Sequence, residues 1–180
     1  MFRGSGWSVD TMRLVDDPRQ DPMAVAATLL AELVGRSATL ATAESLTGGA
    51  LGDLVSAAPG ASDAYLGGVV AYASSVKQNV LGVSADTVAT HGVVSAECAS
   101  EMALGVRSLV GADYAVSTTG VAGPAEQEGK PAGLVFIAVA GPNGVVTRGL
   151  HLDGDRSQIR EKTCLEAIAA TISAVTGAAE

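Results

Sequence analysis

Between Asp63 and Asp86 the chain carries one charged side chain, Lys77, among small, apolar or uncharged polar residues. A lysine works as a general base only if its surroundings hold it well below its ordinary value of about 10.4. Burial among apolar groups does that, and a neighbouring carboxylate would undo it. The flanking sequence supplies no carboxylate, although a lysine on a short helix can also snorkel its amine to solvent. Two more segments offer matching chemistry. Glu44-Ser45-Leu46-Thr47-Gly48-Gly49 puts a hydroxyl at a strand-to-helix turn, and Thr118-Thr119-Gly120-Val121-Ala122-Gly123-Pro124 is a glycine-rich turn after another strand. A hydroxyl beside the unpaired N–H groups of a helix start is placed to attack a carbonyl whose oxyanion those groups would hold. The same position suits an N-cap, with the Ser45 hydroxyl spent on a backbone N–H. Taken together, the segments suggest a serine hydrolase with a lysine base.

Rival assignments exist. Ser74-Ser75-Val76-Lys77 matches S-x-x-K, the serine–lysine pair of β-lactamases, without the companion motifs of those enzymes, and makes Ser74 a second candidate nucleophile. Tyr72 either points to the same site or packs in the sheet. The turn from Thr118 to Pro124 offers hydroxyls and N–H groups to a phosphate or an amide carbonyl. Arg156 either clamps a phosphate or pairs with its neighbours Asp153 and Asp155. His91 and His151 stand alone and read as surface or strand-end residues. No metal-ligand spacing occurs, and neither metal nor cofactor is expected.

The elements that must position these groups alternate. A helix starts at Asp21-Pro22, repeats apolar residues from Met23 to Val34 at helical spacing and stops at Gly35. A strand over 38–42 leads into Ser45, from which a second helix is expected to run to about Ala57. A strand over 65–73 is followed by a short helix bearing Lys77, a second short helical segment over 84–90, and a longer helix capped by Ser95. On that longer helix Cys98, Met102, Val106, Leu109 and Val110 share a face. A strand over 113–118 feeds the glycine-rich turn. Two β-rich runs joined by Gly141-Pro142-Asn143-Gly144 form a hairpin, and a last helix begins at Arg156. The pattern predicts an α/β chain: a three-layer α/β/α sandwich with a mixed, mostly parallel sheet and a C-terminal antiparallel hairpin. Residues 1–20 read as a flexible extension and 21–177 as the folded domain.

Bulk properties exclude other classes. The 180-residue chain has a net charge of −8 and three lysines without a basic run, so nucleic acid is not an expected partner. No apolar run is long enough to span a membrane and no signal peptide is visible, so a cytoplasmic setting is expected. Cys98 and Cys164 show no pairing or ligand spacing and read as small buried hydrophobes.

In order, T-A-E-S-L-T-G-G (42–49), G-G-V-V-A-Y-A-S-S-V-K (67–77), L-G-V (81–83), G-V-V-S-A-E (92–97), S-T-T-G-V-A-G-P (117–124), K-P-A-G-L-V (130–135) and G-D-R (154–156) resemble the CinA C-terminal domain family, the nicotinamide-nucleotide amidases. The resemblance runs from about residue 22 to 176. It implies a three-layer α/β/α fold and metal-free hydrolysis of nicotinamide mononucleotide to nicotinic acid mononucleotide and ammonia, in pyridine-nucleotide recycling. It further implies Ser45 as nucleophile, Lys77 as base, and Tyr72 and Thr119 as their catalytic companions. Glu44, Thr47, Gly48, Gly49, Gly120, Gly123 and Arg156 fall in the motifs that would bind substrate, and a homo-oligomer, dimer or larger, is implied too. Many relatives carry an N-terminal molybdopterin-binding-like domain, for which the leader of this chain is too short, so that domain's activity is not expected. The chain departs from the family at Leu46, where cysteine is usual, and at Ala125-Glu126-Gln127-Glu128-Gly129, where a glycine-rich run is usual. Two carboxylates beside a phosphate site would oppose an anionic substrate, which motivates a second reading as a non-catalytic nucleotide-binding module. An amidase for another small amide is a third. The amidase reading requires Ser45 Oγ and Lys77 Nζ within hydrogen-bond reach.

Overall fold

The computed structural model describes residues 21–177; the expected N-terminal extension, residues 1–20, lies outside them. Helix α1 (Pro22–Gly35) starts where the Asp21 carboxylate accepts from the Met23 N–H and proline fills the first turn. It is followed by β1 (Leu40–Glu44), α2 (Ala50–Ala57), α3 (Ala61–Ala64), β2 (Tyr65–Val70), α4 (Ser74–Leu81), α5 (Ala85–His91) and α6 (Ala96–Val110). The chain closes with β3 (Tyr114–Gly120), the hairpin β4 (Leu134–Gly141) and β5 (Gly144–His151), and α7 (Arg156–Thr176). Ser84 and Ser95 cap α5 and α6 through their hydroxyls, and Asp155 and Gln158 form a capping box on α7.

The five strands form one sheet in the order β2-β1-β3-β4-β5. Strand β1 pairs parallel with both β2 and β3, whereas β4 runs antiparallel to β3 and to β5. Only β4 therefore opposes the common direction, which is the mixed, mostly parallel sheet expected from the sequence. Alternate side chains of each strand feed two cores. Leu40, Val116, Ile137 and Val139 join α1, α2 and α7 in a core of Leu, Ile and Val. On the other face Ala41, Ala43 and Ala115 meet α4, α5 and α6 through Leu81, Val83, Cys98, Met102 and Val106. Alanine on that face lets α6 come close, and Ser117 Oγ donates to the Ala99 carbonyl at 2.6 Å. Helix α4 in turn comes so near α6 that a Cβ at Gly105 would lie 1.8 Å from the Leu81 carbonyl oxygen.

Three local expectations change. The second helix begins at Ala50, five residues after Ser45, because Gly48 and Gly49 take positive φ of +62° and +99° and hold the chain in a turn. Strand β2 ends at Val70, so Ala71–Ala73 forms a link to α4. Leu109 is 56% exposed, and Ala99 and Ala103 complete the buried face of α6 instead.

Candidate active site

The turns after β1, β2 and β3 open at the carboxyl end of the parallel strands, with β1 between the other two. The crossover from β1 to β2 packs on the α2 side and that from β2 to β3 on the α6 side, so the two leave a crevice between them. Ser45, half-buried, is fixed there by its N–H, which donates to the Thr118 carbonyl at 2.9 Å.

Lys77 enters from α4 and is 1% exposed, one of the largest fully buried side chains. Its Nζ lies 2.9 Å from Ser45 Oγ, 2.7 Å from the Ala71 carbonyl and 3.3 Å from the Tyr72 carbonyl. Among the described residues no carboxylate touches it. Burial holds the amine below its ordinary value, with Cys98 and Glu128 pulling the other way. A neutral amine has two N–H bonds and one lone pair. As an ammonium, Lys77 Nζ donates to Ser45 Oγ and to both carbonyls; once deprotonated, it would keep its two N–H bonds for the carbonyls and turn its lone pair to the serine hydroxyl. Ser74 is exposed at the start of α4 and makes no hydrogen bond to Lys77 among the described residues.

The remaining sequence candidates surround this pair at different depths. Glu44 is 2% exposed and points under the turn. Its carboxylate accepts from the N–H groups of Gly49 at 2.9 Å, Leu51 at 3.0 Å and Gly52 at 2.8 Å, which fastens the start of α2. Thr47 Oγ1 and Thr118 Oγ1 share a hydrogen bond of 2.8 Å that ties the first turn to β3. Gly48 is exposed at the lip and Gly49 half-buried behind it. Thr119 is buried, and its Oγ1 donates to the Val93 carbonyl at 2.6 Å. Gly120 ends β3, and Gly123 gives its carbonyl to Arg156 Nη1 at 2.9 Å. Arg156 Nη2 reaches Tyr72 Oη at 3.2 Å, and the tyrosine ring is 62% exposed. The N–H groups of Leu46 and Thr47, in the turn that follows Ser45, have no partner among the described residues.

Sequence reasoning missed Arg160. Its Nη2 donates to the Thr47 carbonyl at 2.6 Å and would meet a Cβ on Gly48 at 3.5 Å. The signal was present, since Arg156 and Arg160 are four residues apart and lie on one face of α7. Burial pushes the Cys98 thiol up to about 11 and the Cys164 thiol up to about 12, so both behave as neutral apolar groups. Among the described residues no group of three or more His, Cys, Asp or Glu is placed to hold a metal ion, and no helix is long and apolar enough to cross a membrane.

The family model for the CinA C-terminal domain matches residues 23–175. A CinA-like protein of Frankia casuarinae is 51% identical over 140 residues, which cover 78% of this chain and 32% of that protein. One of Thermotoga maritima is 45% identical over 137 residues, covering 76% and 33%. The chain thus spans about a third of the length of these curated relatives. Among solved structures, the competence damage-inducible protein A of Klebsiella pneumoniae superposes with a TM-score of 0.86 at 34% identity, over 89% of this chain and 100% of its own. A competence/damage inducible protein of Agrobacterium tumefaciens gives 0.82 at 32% identity, over 87% and 96%.

Proposed function

The chain belongs to the CinA C-terminal domain family, and on that footing we propose that it is an amidase that hydrolyses nicotinamide mononucleotide to nicotinic acid mononucleotide and ammonia. The observation that carries the proposal is the 2.9 Å contact between Ser45 Oγ and a buried Lys77 Nζ that no carboxylate touches among the described residues. Neutral Lys77 takes the Ser45 proton as Oγ bonds to the carboxamide carbon, and the carbonyl oxygen becomes an oxyanion. The Leu46 and Thr47 N–H groups hold that charge. Lys77 passes the proton to the amide nitrogen, the C–N bond breaks, and ammonia leaves an acyl-serine. Water then attacks the acyl carbon while Lys77 takes its proton. The C–Oγ bond breaks, the proton returns to Oγ, and the free acid departs.

Arg156, bracketed by Gly123 and Tyr72 and exposed at the site, supports a role in holding the 5′-phosphate, for which a guanidinium has further donors. Tyr72 positions Lys77 through its carbonyl and Arg156 through its hydroxyl. Thr119 and Glu44 act at one remove, by holding the walls of the crevice.

Purified protein incubated with nicotinamide mononucleotide is expected to release one ammonia per nicotinic acid mononucleotide, and Ser45→Ala to stop it. Binding of the nucleotide without ammonia release over hours would instead favour a non-catalytic nucleotide-binding module. Release from other small amides alone would make it an amidase of another substrate.

A further inference from the structure

Apart from the charge of Glu128 acting on Lys77 without contact, the acidic segment after Pro124 has no part in the chemistry above, yet its tip is fastened by several hydrogen bonds. Gln127 and Lys130 form an isolated antiparallel bridge, with Glu128 and Gly129 at its tip at φ +54° and +68°. That turn throws the Glu128 side chain back onto the link between α5 and α6. There its carboxylate accepts from the Val93 N–H at 3.1 Å and the Val94 N–H at 3.2 Å. Lys130 Nζ donates to the Val94 carbonyl at 2.6 Å and the His91 carbonyl at 3.0 Å, and stands 3.4 Å from Glu128 Oε2. Thr119 Oγ1 holds the same link from the sheet side, at the Val93 carbonyl. A Cβ on Gly92 would lie 2.4 Å from Glu128 Oε2, so the carboxylate occupies space that only glycine leaves open. Burial pushes the Glu128 carboxyl up, but the Val93 and Val94 N–H groups and Lys130 outweigh it and hold it below the usual carboxylate range.

The segment that Glu128 fastens also contains Gly123. The Gly123 carbonyl receives Arg156, Arg156 reaches the Tyr72 hydroxyl, and the Tyr72 carbonyl receives Lys77. Glu128, one of the two carboxylates that seemed set to repel an anion, spends its oxygens on backbone N–H groups while its side chain stays one-third exposed.

Resting on the amidase reading, we propose that Glu128 and Lys130 are positioning residues. They latch the loop between Val121 and Gly133 onto the Gly92–Ser95 turn, so that the Gly123 carbonyl aims Arg156 at the substrate's anionic group. Neither touches substrate. The latch therefore acts through Arg156 on affinity and leaves the serine–lysine pair in place.

The test is a double-mutant cycle between Glu128→Ala and Arg156→Ala, with kcat and KM measured for nicotinamide mononucleotide. Glu128→Ala is expected to raise KM about tenfold with kcat within about threefold, and to add nothing once Arg156 is gone. Glu128→Gln, which keeps one acceptor oxygen, should fall between, with far-UV circular dichroism unchanged as the check on folding. Additive effects, or a KM that Glu128→Ala leaves unchanged, overturn the proposal. Should the wild type release no ammonia, the amidase reading fails by itself, and the latch is judged by calorimetric titration with inorganic phosphate. Binding weakened about tenfold by Glu128→Ala supports it. Equal binding in both proteins, or none in either, overturns it.

Discussion

The turn that follows β1 and the turn that follows β2 each bury one ionisable side chain, and they treat it in opposite ways. Glu44 is met by three backbone N–H groups at 2.8–3.0 Å, so its oxygens are fully engaged by the fold. Lys77 is as deeply buried, but its partners are two carbonyls and one hydroxyl, with no opposite charge in contact among the described residues. The first arrangement gives its residue three hydrogen-bond donors; the second, by burial, favours the uncharged form of its residue. One turn is a fastening, and the other holds a buried amine with no compensating charge in contact among the described residues.

Substitutions sharpen that contrast. Ser45→Ala removes the group that the amine faces, and kcat should fall by about 10³-fold or more, measured as ammonia release. Ser74→Ala should leave the rate within about twofold, and a reversal of the two would reassign the nucleophile. Lys77→Met should also abolish turnover yet make the protein more stable. The sign follows from linkage. The folded-state value of Lys77 lies below the unfolded one, so between the two the unfolded chain binds more protons and stability rises with pH. At neutral pH burying Lys77 therefore detracts from stability, and methionine removes that loss. Tm should rise by a few degrees, since about 1 kcal/mol corresponds to roughly 2–4 °C in a domain of this size.

Glu44→Ala should do the reverse, leaving three N–H groups without their acceptor. It is expected to cost about 3 kcal/mol, read as a Tm lower by roughly 6–12 °C, and to slow turnover only by loosening the Ser45 turn. A Glu44→Ala protein as stable as the wild type would erase the contrast. The smallest effect is on pH. Turnover by the wild type should increase with pH along a limb set by Lys77, which lies below the ordinary lysine value because of burial. A rate that is flat across that limb would mean that the amine does not titrate in catalysis.

Much of this was legible in the residues. The Ser95 cap predicts the start of α6, a signal carried by a few neighbouring residues, whereas the isolation of Lys77 left a buried amine and one snorkelling to solvent both open, and the fold buries it. The start of α2 was not legible, because Ser45 has the composition of a cap whereas Glu44, one residue earlier, supplies the acceptor from inside the sheet. Ser74 and Lys77 are one helical turn apart, which favours their pairing on local spacing, yet the amine reaches across to the turn after β1. That partner depends on the β1–β2 pairing, which local sequence does not encode. Glu128 was legible as a charge but not in its direction, which follows from the positive φ values of its own turn.

The close approach of α4 to α6 at Gly105 bears on all of this from behind the site. The depth to which Lys77 is driven is set by how tightly its helix is seated, and that seat is a single hydrogen atom wide. A methyl group there would act as a shim, lifting the helix and withdrawing the amine from the hydroxyl without altering any group in the crevice. The seating of the helix that carries Lys77 is thus sensitive to a residue on α6 that lies outside the crevice contacts described above.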